Sequence, residues 1–389
     1  MLFYEGPDPN RLIPMLAKSW TVSTDGLQYV FEIREGVRFH DGTLLDAHAV
    51  QYLLKRALQM AQEPSSILRQ LIDESSIEVI GNYRLRITLT KPFSGFLHIV
   101  ALPVASVVSP AAVEAHGGIQ PGTENGWMRT HMVGTGPFKL AECDPVHRRI
   151  TLMRNTDYWR TPAQIERVVI WYVNNIEKRK QMLFQQEADI VFFQASSLQS
   201  LSSCPGITID ANPSLDLMVF GLNVQREPLM RKDVRYAISH AFDYDRFLKD
   251  IRQGYGLPIH GPVPNGLFGY TTDLPRFERD LSRAYKHLKM SGLPHDSLRP
   301  LTITYCEGLE DRKAGCELLR DNLAEIGLKA VIESLDWPVF LEKGRAGQFD
   351  IAFLAWAPDY PDPDNYVQTF CHSQGQFASM RFDRLPITA

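Results

Sequence analysis

Three aspartates, Asp359, Asp362 and Asp364, follow directly on an apolar stretch at residues 351–357. The stretch is typical of a buried strand, and ligands commonly bind at the carboxyl ends of strands in open α/β sheets. An ionised aspartate at that place can accept a charge-assisted hydrogen bond from a ligand ammonium group. The other interpretation is a proline-punctuated acidic turn that caps the following helix. A calcium loop is not indicated, because neither the central glycine nor the closing glutamate follows.

Other kinds of chemistry have no support in the residue spacing. The eleven histidines include no HxH or HExxH pair, and no GxSxG motif presents a serine for nucleophilic attack. Gly134 and Gly136 are not part of a phosphate-binding loop, since no GK[ST] follows and Pro137 removes a backbone donor. We therefore expect a tight chain reversal there, leading into an edge strand. The sequence predicts no enzyme, no bound metal and no cofactor.

The five cysteines are too few and too scattered for a disulfide framework or a CxxC metal site. A single bridge between Cys306 and Cys316 is possible in an oxidising compartment, although spacing alone does not establish the geometry. Small buried or partly exposed thiols are the favoured interpretation.

Length and composition agree with a globular protein of two domains. The chain has 389 residues, of which 44% are hydrophobic and 22% are charged. Its net charge of −4, with both signs dispersed, gives no reason to expect nucleic-acid binding. No apolar run approaches the roughly 18 residues that would indicate a membrane helix.

Hydrophobic periodicity predicts a mixed α/β fold. Strands are expected at residues 19–22, 28–34, 76–80, 84–89, 166–173, 188–192, 301–305 and 329–332. Helices are expected from Asp46 to residue 60 and at residues 176–186, 232–242, 282–290 and 312–326. The strands at 166–173 and 188–192 are apolar enough for burial on both faces and flank a helix, which indicates a βαβ unit.

Several passages resemble the family 5 extracellular solute-binding proteins, which serve ABC importers of peptides, nickel and related ligands. They are LAKSWTVSTDGLQYVFEIREGVRFHDGTLLDAHAV at 16–50, VGTGPFKL at 133–140, RNTDYW at 154–159 and the helix at 232–242. The resemblance implies a two-lobed, type II periplasmic-binding-protein-like fold with an extra subdomain. Residues 1–220 would form the first lobe, with the subdomain at about 45–165, and residues 221–389 the second lobe.

The two ends depart from the family pattern. The amino terminus lacks a secretory signal and the first strand expected of the large lobe, and the resemblance stops soon after residue 370. We expect a chain truncated at both ends, with exposed apolar edges and doubtful stability.

The resemblance also implies site residues. Asp359 would hold the α-amino group of a peptide, and the backbone of Ala355 to Ala357 would pair with the peptide as an added strand. Trp356 would form part of the pocket wall. Arg312 would meet the peptide carboxylate, with a solvated helix end as the alternative interpretation.

The predicted function is therefore that of a non-enzymatic binding protein of an ABC transporter. It would capture di- or oligopeptides in the cleft between its lobes and deliver them to the permease as a monomer, in the periplasm or another extracytoplasmic compartment. The alternatives are a nickel-chelate or haem-binding member of the same family, a ligand-sensing module of a regulator, a hydrolase, and a nonfunctional truncated remnant.

Overall fold

A computed structural model describes residues 1–5, 8–62, 65–194, 197–198, 200–202, 204–293, 299–372 and 375. The chain divides into two compact units, Met1–Val191 and Phe192–Ala389. The lobe boundary expected after residue 220, and the extra subdomain, stay predictions. No helix in the described part of the chain combines the length and the apolar character needed to cross a membrane.

The described residues of the first unit form three antiparallel sheets. A two-stranded sheet consists of β1 (Leu2–Glu5) and β2 (Asp8–Pro14). A four-stranded sheet has the order β3-β4-β6-β5 and consists of β3 (Ala17–Val22), β4 (Gln28–Ile33), β5 (Ile77–Gly81) and β6 (Arg84–Thr88). A three-stranded sheet has the order β7-β8-β9 and consists of β7 (Phe138–Asp144), β8 (Arg149–Arg154) and β9 (Arg167–Trp171).

The helices of this unit are α1 (Ala47–Met60), α2 (Ser66–Arg69), α3 (Phe96–Ile99), α4 (Pro110–Ala115) and α5 (Ile176–Phe184). The 3₁₀ turns are Glu74–Ser76, Pro103–Ala105 and Gly126–Arg129.

Local sequence rules account for the first elements. Tyr29, Phe31 and Ile33 alternate as buried residues of β4, as the period of two predicts. Asp46 caps α1 by accepting a hydrogen bond from the amide of Ala49 at 2.8 Å. The edge strand predicted after Pro137 is confirmed as β7.

The predicted βαβ unit is wrong. β9 pairs antiparallel with β8 and lies at an edge of its sheet, with Trp171 47% exposed. Residues 188–192 form no strand, and Ile190 and Phe192 are exposed. The guanidinium of Arg149 lies 5.6 Å from the ring centroid of Trp171, so a cation covers this ring in place of a second layer of structure. An apolar run in the sequence does not by itself distinguish a strand buried on both faces from an edge strand with exposed apolar side chains.

In its described residues, the second unit is built on a mixed sheet of order β10-β13-β11-β12. The strands are β10 (Leu217–Leu222), β11 (Leu301–Cys306), β12 (Ala330–Leu335) and β13 (Ile351–Trp356). β10 is antiparallel to β13, whereas β11 is parallel to both β12 and β13. The helices are α6 (Lys232–Ala241), α7 (Tyr244–Arg246), α8 (Leu281–Met290), α9 (Glu310–Glu325), α10 (Trp337–Arg345) and α11 (Asp364–Phe370), with a π-helical turn at Phe247–Ile251.

Close packing joins α9 to the sheet. Phe353 of β13 is buried and stacks on Phe220 of β10, with 4.4 Å between the ring centroids. A Cβ atom at Gly315 of α9 would lie 2.7 Å from the ring of Phe353 and 2.9 Å from the ring of Phe247. The absence of a side chain at Gly315 lets the helix approach the aromatic layer.

Gly315→Ala is therefore expected to destabilise the protein. Overpacking a well-packed core costs about 1–3 kcal/mol. The higher helix propensity of alanine returns up to about 1 kcal/mol of this. We expect a lower midpoint of urea unfolding, whereas Lys313→Ala, at an exposed position of the same helix, should leave the midpoint nearly unchanged. An unchanged midpoint for Gly315→Ala would mean that the rings of Phe353 and Phe247 move aside without loss of stability.

The five cysteines are free thiols, so the possible bridge between Cys306 and Cys316 does not form. Both of these side chains are buried. Burial raises the pKa of the Cys316 thiol to about 12 and also raises the pKa of Cys306. The favoured interpretation, small buried or partly exposed thiols, is confirmed.

Candidate functional site

The carboxyl end of β13 is paired along one edge and open along the other. On the first edge the antiparallel ladder to β10 extends from Leu222–Ile351 to Leu217–Trp356. On the second edge, among the described residues, the pairing with β11 ends at Ala352. The backbone beyond Ala352 thus has an edge on which an extended ligand chain can add as a further strand. Ala355 and Ala357 are exposed there and carry small side chains that leave room for it.

Asp350 fixes the other end of the same strand. Its carboxylate is buried and accepts hydrogen bonds from Arg226 Nε at 2.7 Å, from Arg299 Nη1 and Nη2 at 2.6 and 2.7 Å, and from the amide of Thr302 at 3.0 Å. Burial alone would raise the pKa of Asp350, but the hydrogen bonds from Arg299, Thr302 and Arg226 outweigh it and lower the pKa below its ordinary value. The carboxylate is therefore ionised and holds the starts of β11 and β13 together.

The loop after β13 is held at two points by one buried side chain. Asn365 Oδ1 accepts hydrogen bonds from Trp356 Nε1 and from the backbone amide of Asp359, each at 3.1 Å. The Trp356 ring also packs edge-on against Phe370 of α11, with 5.8 Å between the centroids. Trp356 and Asp359, two of the predicted site residues, are thus brought together and positioned by α11.

The three aspartates of this loop differ in their surroundings. Asp362 Oδ1 accepts from the amide of Asp364 at 2.9 Å, and Asp364 Oδ2 accepts from the hydroxyl of Tyr360 at 3.0 Å. Burial and then the charge of Asp364 raise the pKa of Tyr360, so its hydroxyl stays protonated and donates. These two carboxylates serve the turn at the start of α11. The side chain of Asp359 is exposed, and this exposure makes Asp359 the aspartate of the three best suited to meet a ligand.

Arg312 lies in the first turn of α9, just after β11, and is half-buried. Burial lowers its pKa, while the charge of Asp311 and the Cys306 and Cys316 thiols act in the opposite direction. Cys306 belongs to the apolar cluster against which Trp356 packs. Arg312 and Trp356 therefore both adjoin the carboxyl ends of the neighbouring parallel strands β11 and β13.

Sequence reasoning missed Asn365 and Asp350 as positioning residues. Asn365 stands in a PDPDN run that indicates only a turn, and nothing local marks its side chain as a buried acceptor. Asp350 directly precedes an apolar strand, and a carboxylate buried there needs cationic partners from elsewhere in the sequence. This place next to an apolar strand is the one sequence signal of its role.

Asn365→Ala is expected to loosen the loop, because the indole of Trp356 and the amide of Asp359 lose their common acceptor. Leaving buried donors unpaired costs about 1–3 kcal/mol. We expect a lower melting temperature and weaker binding of any ligand that contacts Asp359. Gln368→Ala changes an exposed side chain of the same helix and should change neither quantity. Equal behaviour of the two variants would contradict the positioning role of Asn365.

No group of three or more histidine, cysteine, aspartate or glutamate side chains suited to hold a metal ion occurs within the described ranges. The end of β13 presents an exposed carboxylate, an open backbone edge and an aromatic side chain, and a guanidinium lies close to Cys306 at the end of the neighbouring strand β11. Such groups can bind a zwitterionic chain without any covalent step.

Comparison with solved structures supports the fold. CtaP (Lmo0135) from Listeria monocytogenes, an ABC transporter substrate-binding protein, has a TM-score of 0.84 at 20% identity, covering 95% of this chain and 75% of that one. DppA from Helicobacter pylori, a periplasmic binding protein solved with the peptide STSA, has a TM-score of 0.79 at 27% identity, covering 96% and 74%. The predicted two-lobed periplasmic-binding-protein fold is confirmed.

Sequence comparison points the same way. The probable D,D-dipeptide-binding periplasmic protein DdpA of Escherichia coli (strain K12) is 26% identical over 360 residues, covering 92% of this chain and 68% of that protein. Di/tripeptide-binding protein 2 of Pseudomonas aeruginosa (strain UCBPP-PA14) is 28% identical over 384 residues, covering 93% and 70%. The profile described as bacterial extracellular solute-binding proteins, family 5 Middle, matches residues 11–378. The chain thus belongs to the family 5 extracellular solute-binding proteins, a non-enzymatic family, as its sequence predicted.

Proposed function

We propose that this protein is the extracytoplasmic peptide-binding component of an ABC importer and that it captures di- or oligopeptides with the carboxyl end of β13. The observation that carries the proposal is the exposed Asp359, positioned through its amide by Asn365 next to an open strand edge. The names of the relatives DdpA and di/tripeptide-binding protein 2 support a peptide ligand.

The chemistry of a peptide matches these groups one by one. The α-ammonium group would donate charge-assisted hydrogen bonds to the carboxylate of Asp359. The peptide backbone would pair with the open edge of β13 near Ala355 and Ala357, and this contact is common to all peptides. Trp356 would bound the space for a side chain. Binding through the backbone explains how one site accepts many sequences.

Arg312 is our candidate for the peptide carboxylate. It adjoins the end of β11, and its partial burial disfavours the charged form of the guanidinium. The negative charge of a bound carboxylate would stabilise that charged form. A guanidinium also matches a carboxylate in shape, because it can donate two parallel hydrogen bonds. The separation of the two charged ends would then select peptide length.

The same family membership supports the remaining parts of the proposal. The loaded protein would deliver its ligand to the membrane permease of the importer, and it would act as a monomer in the periplasm or on the outer side of the cell membrane. No catalytic step is involved, because the ligand is released unchanged.

A thermal melt of the purified chain, alone and with pooled di-, tri- and longer peptides, tests the proposal. Ligand at a hundred times its dissociation constant adds about 2.7 kcal/mol to the free energy of unfolding, which raises the melting temperature visibly. A cooperative melt that ignores every peptide would contradict the proposal. The nickel-chelate and haem alternatives would then be tested by the same shift and, for haem, by Soret absorbance.

A further inference from the structure

The first unit carries a pocket that shares no residue with the proposed peptide site. The pocket has a volume of about 330 Å³ and is lined by Lys18, Arg34, Glu35, Gly36, Val37 and Trp159. Lys18 lies in β3, Arg34 to Val37 follow β4, and Trp159 follows β8. We call it the basic pocket.

Trp159 of the basic pocket is approached by two arginines, Arg34 from the lining and Arg160 from beside the pocket. The Arg34 guanidinium lies 5.2 Å and the Arg160 guanidinium 5.9 Å from the ring centroid of Trp159. Arg34 Nε donates to the carbonyl oxygen of Met15 at 2.6 Å, and Arg160 Nη1 lies 3.2 Å from the Met15 sulfur. The indole and Met15 thus hold both guanidinium planes in place without neutralising their charge, since a ring face, a carbonyl and a thioether carry no net charge.

The charges around this pocket are out of balance. In the part of the chain that the structure describes, neither Arg34 nor Arg160 forms an ion pair. Lys18 meets Glu35 at 3.8 Å, and both of these side chains are exposed, so water and salt weaken the pair. Two cations of the lining, Lys18 and Arg34, and Arg160 beside Trp159 therefore outnumber the single lining carboxylate, Glu35.

We propose that the basic pocket binds a small oxyanion, a phosphate or carboxylate group, through Lys18, Arg34 and Arg160. Guanidinium groups match the geometry of both kinds of oxyanion. Stacking on Trp159 holds the arginines in position before the ligand arrives, which reduces the entropy that binding costs. The volume lies at the small end of the range of ligand pockets and fits a small anion together with ordered water.

The test compares the melting temperature of the whole chain in sodium phosphate, sodium succinate and sodium chloride of equal ionic strength. We expect phosphate or succinate to raise the melting temperature above its value in chloride. Titration calorimetry with the effective anion should show at least tenfold weaker binding to the Lys18→Gln, Arg160→Gln double variant. Lys249→Gln removes an equivalent exposed charge from the second unit and should bind the anion like the unchanged protein.

The outcomes separate the possibilities. A phosphate effect that the double variant loses assigns the phosphate class, and a succinate effect that the double variant loses assigns the carboxylate class. The proposal is overturned if neither anion differs from chloride, or if the double variant keeps the whole shift, as it would when the shift is only the general effect of excluded anions. If the double variant does not fold, the single variant Lys18→Gln replaces it in the calorimetry. This exposed lysine contributes to folding only its loose pair with Glu35, so its removal should leave the fold intact. Peptide-dependent shifts should persist in these variants, which separates this test from that of the peptide site.

Discussion

Asp350→Ala is expected to lower the free energy of unfolding by about 3 kcal/mol. Breaking a buried ion pair by removing one partner costs about 3–5 kcal/mol. The lower end applies because the Arg226 and Arg299 side chains are 40% and 47% exposed and regain water, whereas the Asp350 side chain is 2% exposed. The amide of Thr302 also loses its acceptor. Urea unfolding followed by circular dichroism measures the loss.

Asp321→Ala is the matched control for this substitution. Asp321 pairs with Arg320 on the surface of the same unit, and the two side chains are 60% and 43% exposed. Exposed pairs of this kind contribute about 0–1 kcal/mol. If Asp321→Ala destabilises the protein as much as Asp350→Ala, the burial of Asp350 and its two arginines do not account for the effect.

The pH dependence of stability gives a second readout. The pKa of Asp350 is lowered in the folded state, so its contribution to stability is fully present above the pKa of an unfolded aspartate, about 3.9. The contribution is lost as the pH falls through the lower folded value, where the carboxylate becomes protonated. The stability difference between the unchanged protein and Asp350→Asn should therefore shrink on acidification. A difference that stays constant from neutral pH down to about pH 3 would contradict the ion-pair interpretation.

Asp359→Asn is expected to weaken peptide binding at least about thirtyfold while leaving the melting temperature of the unliganded protein nearly unchanged. The substitution removes the charge that would receive the peptide ammonium group, at a cost of about 2 kcal/mol or more. Folding is spared because the loop is positioned through the backbone amide of Asp359, and its side chain is exposed. Titration calorimetry with a peptide found in the melt screen measures the change.

Asp362→Asn provides the control for charge alone. It removes one negative charge from the same loop, and the amide oxygen of asparagine still accepts from the backbone of Asp364. We expect affinity within about threefold of the unchanged protein. Equal losses in the two variants would show that the general charge of the loop attracts the ligand, and the assignment of the ammonium contact to Asp359 would fail. A peptide with a blocked amino terminus should bind Asp359→Asn and the unchanged protein alike.

Local sequence rules determined the elements whose residues interact with near neighbours. The alternation of Tyr29, Phe31 and Ile33 identifies β4, and the aspartate at position 46 marks the start of α1. The acidic loop after an apolar strand is equally visible in the residue order, which makes its three aspartates candidates for ligand contact, and the family resemblance then favours Asp359 among them. Each of these signals depends on contacts within a few residues, for which chain geometry fixes the spacing.

Only the tertiary structure decided what holds the site in place. Asp350 meets Arg299 and Arg226, which stand 51 and 124 residues away in the sequence, and no local pattern encodes such pairings. The same limit explains the error at β9, where the burial of an apolar run depends on what the rest of the chain packs against it. Sequence periodicity specifies which face of an element is apolar, whereas long-range packing decides which apolar faces are covered and which polar groups find partners.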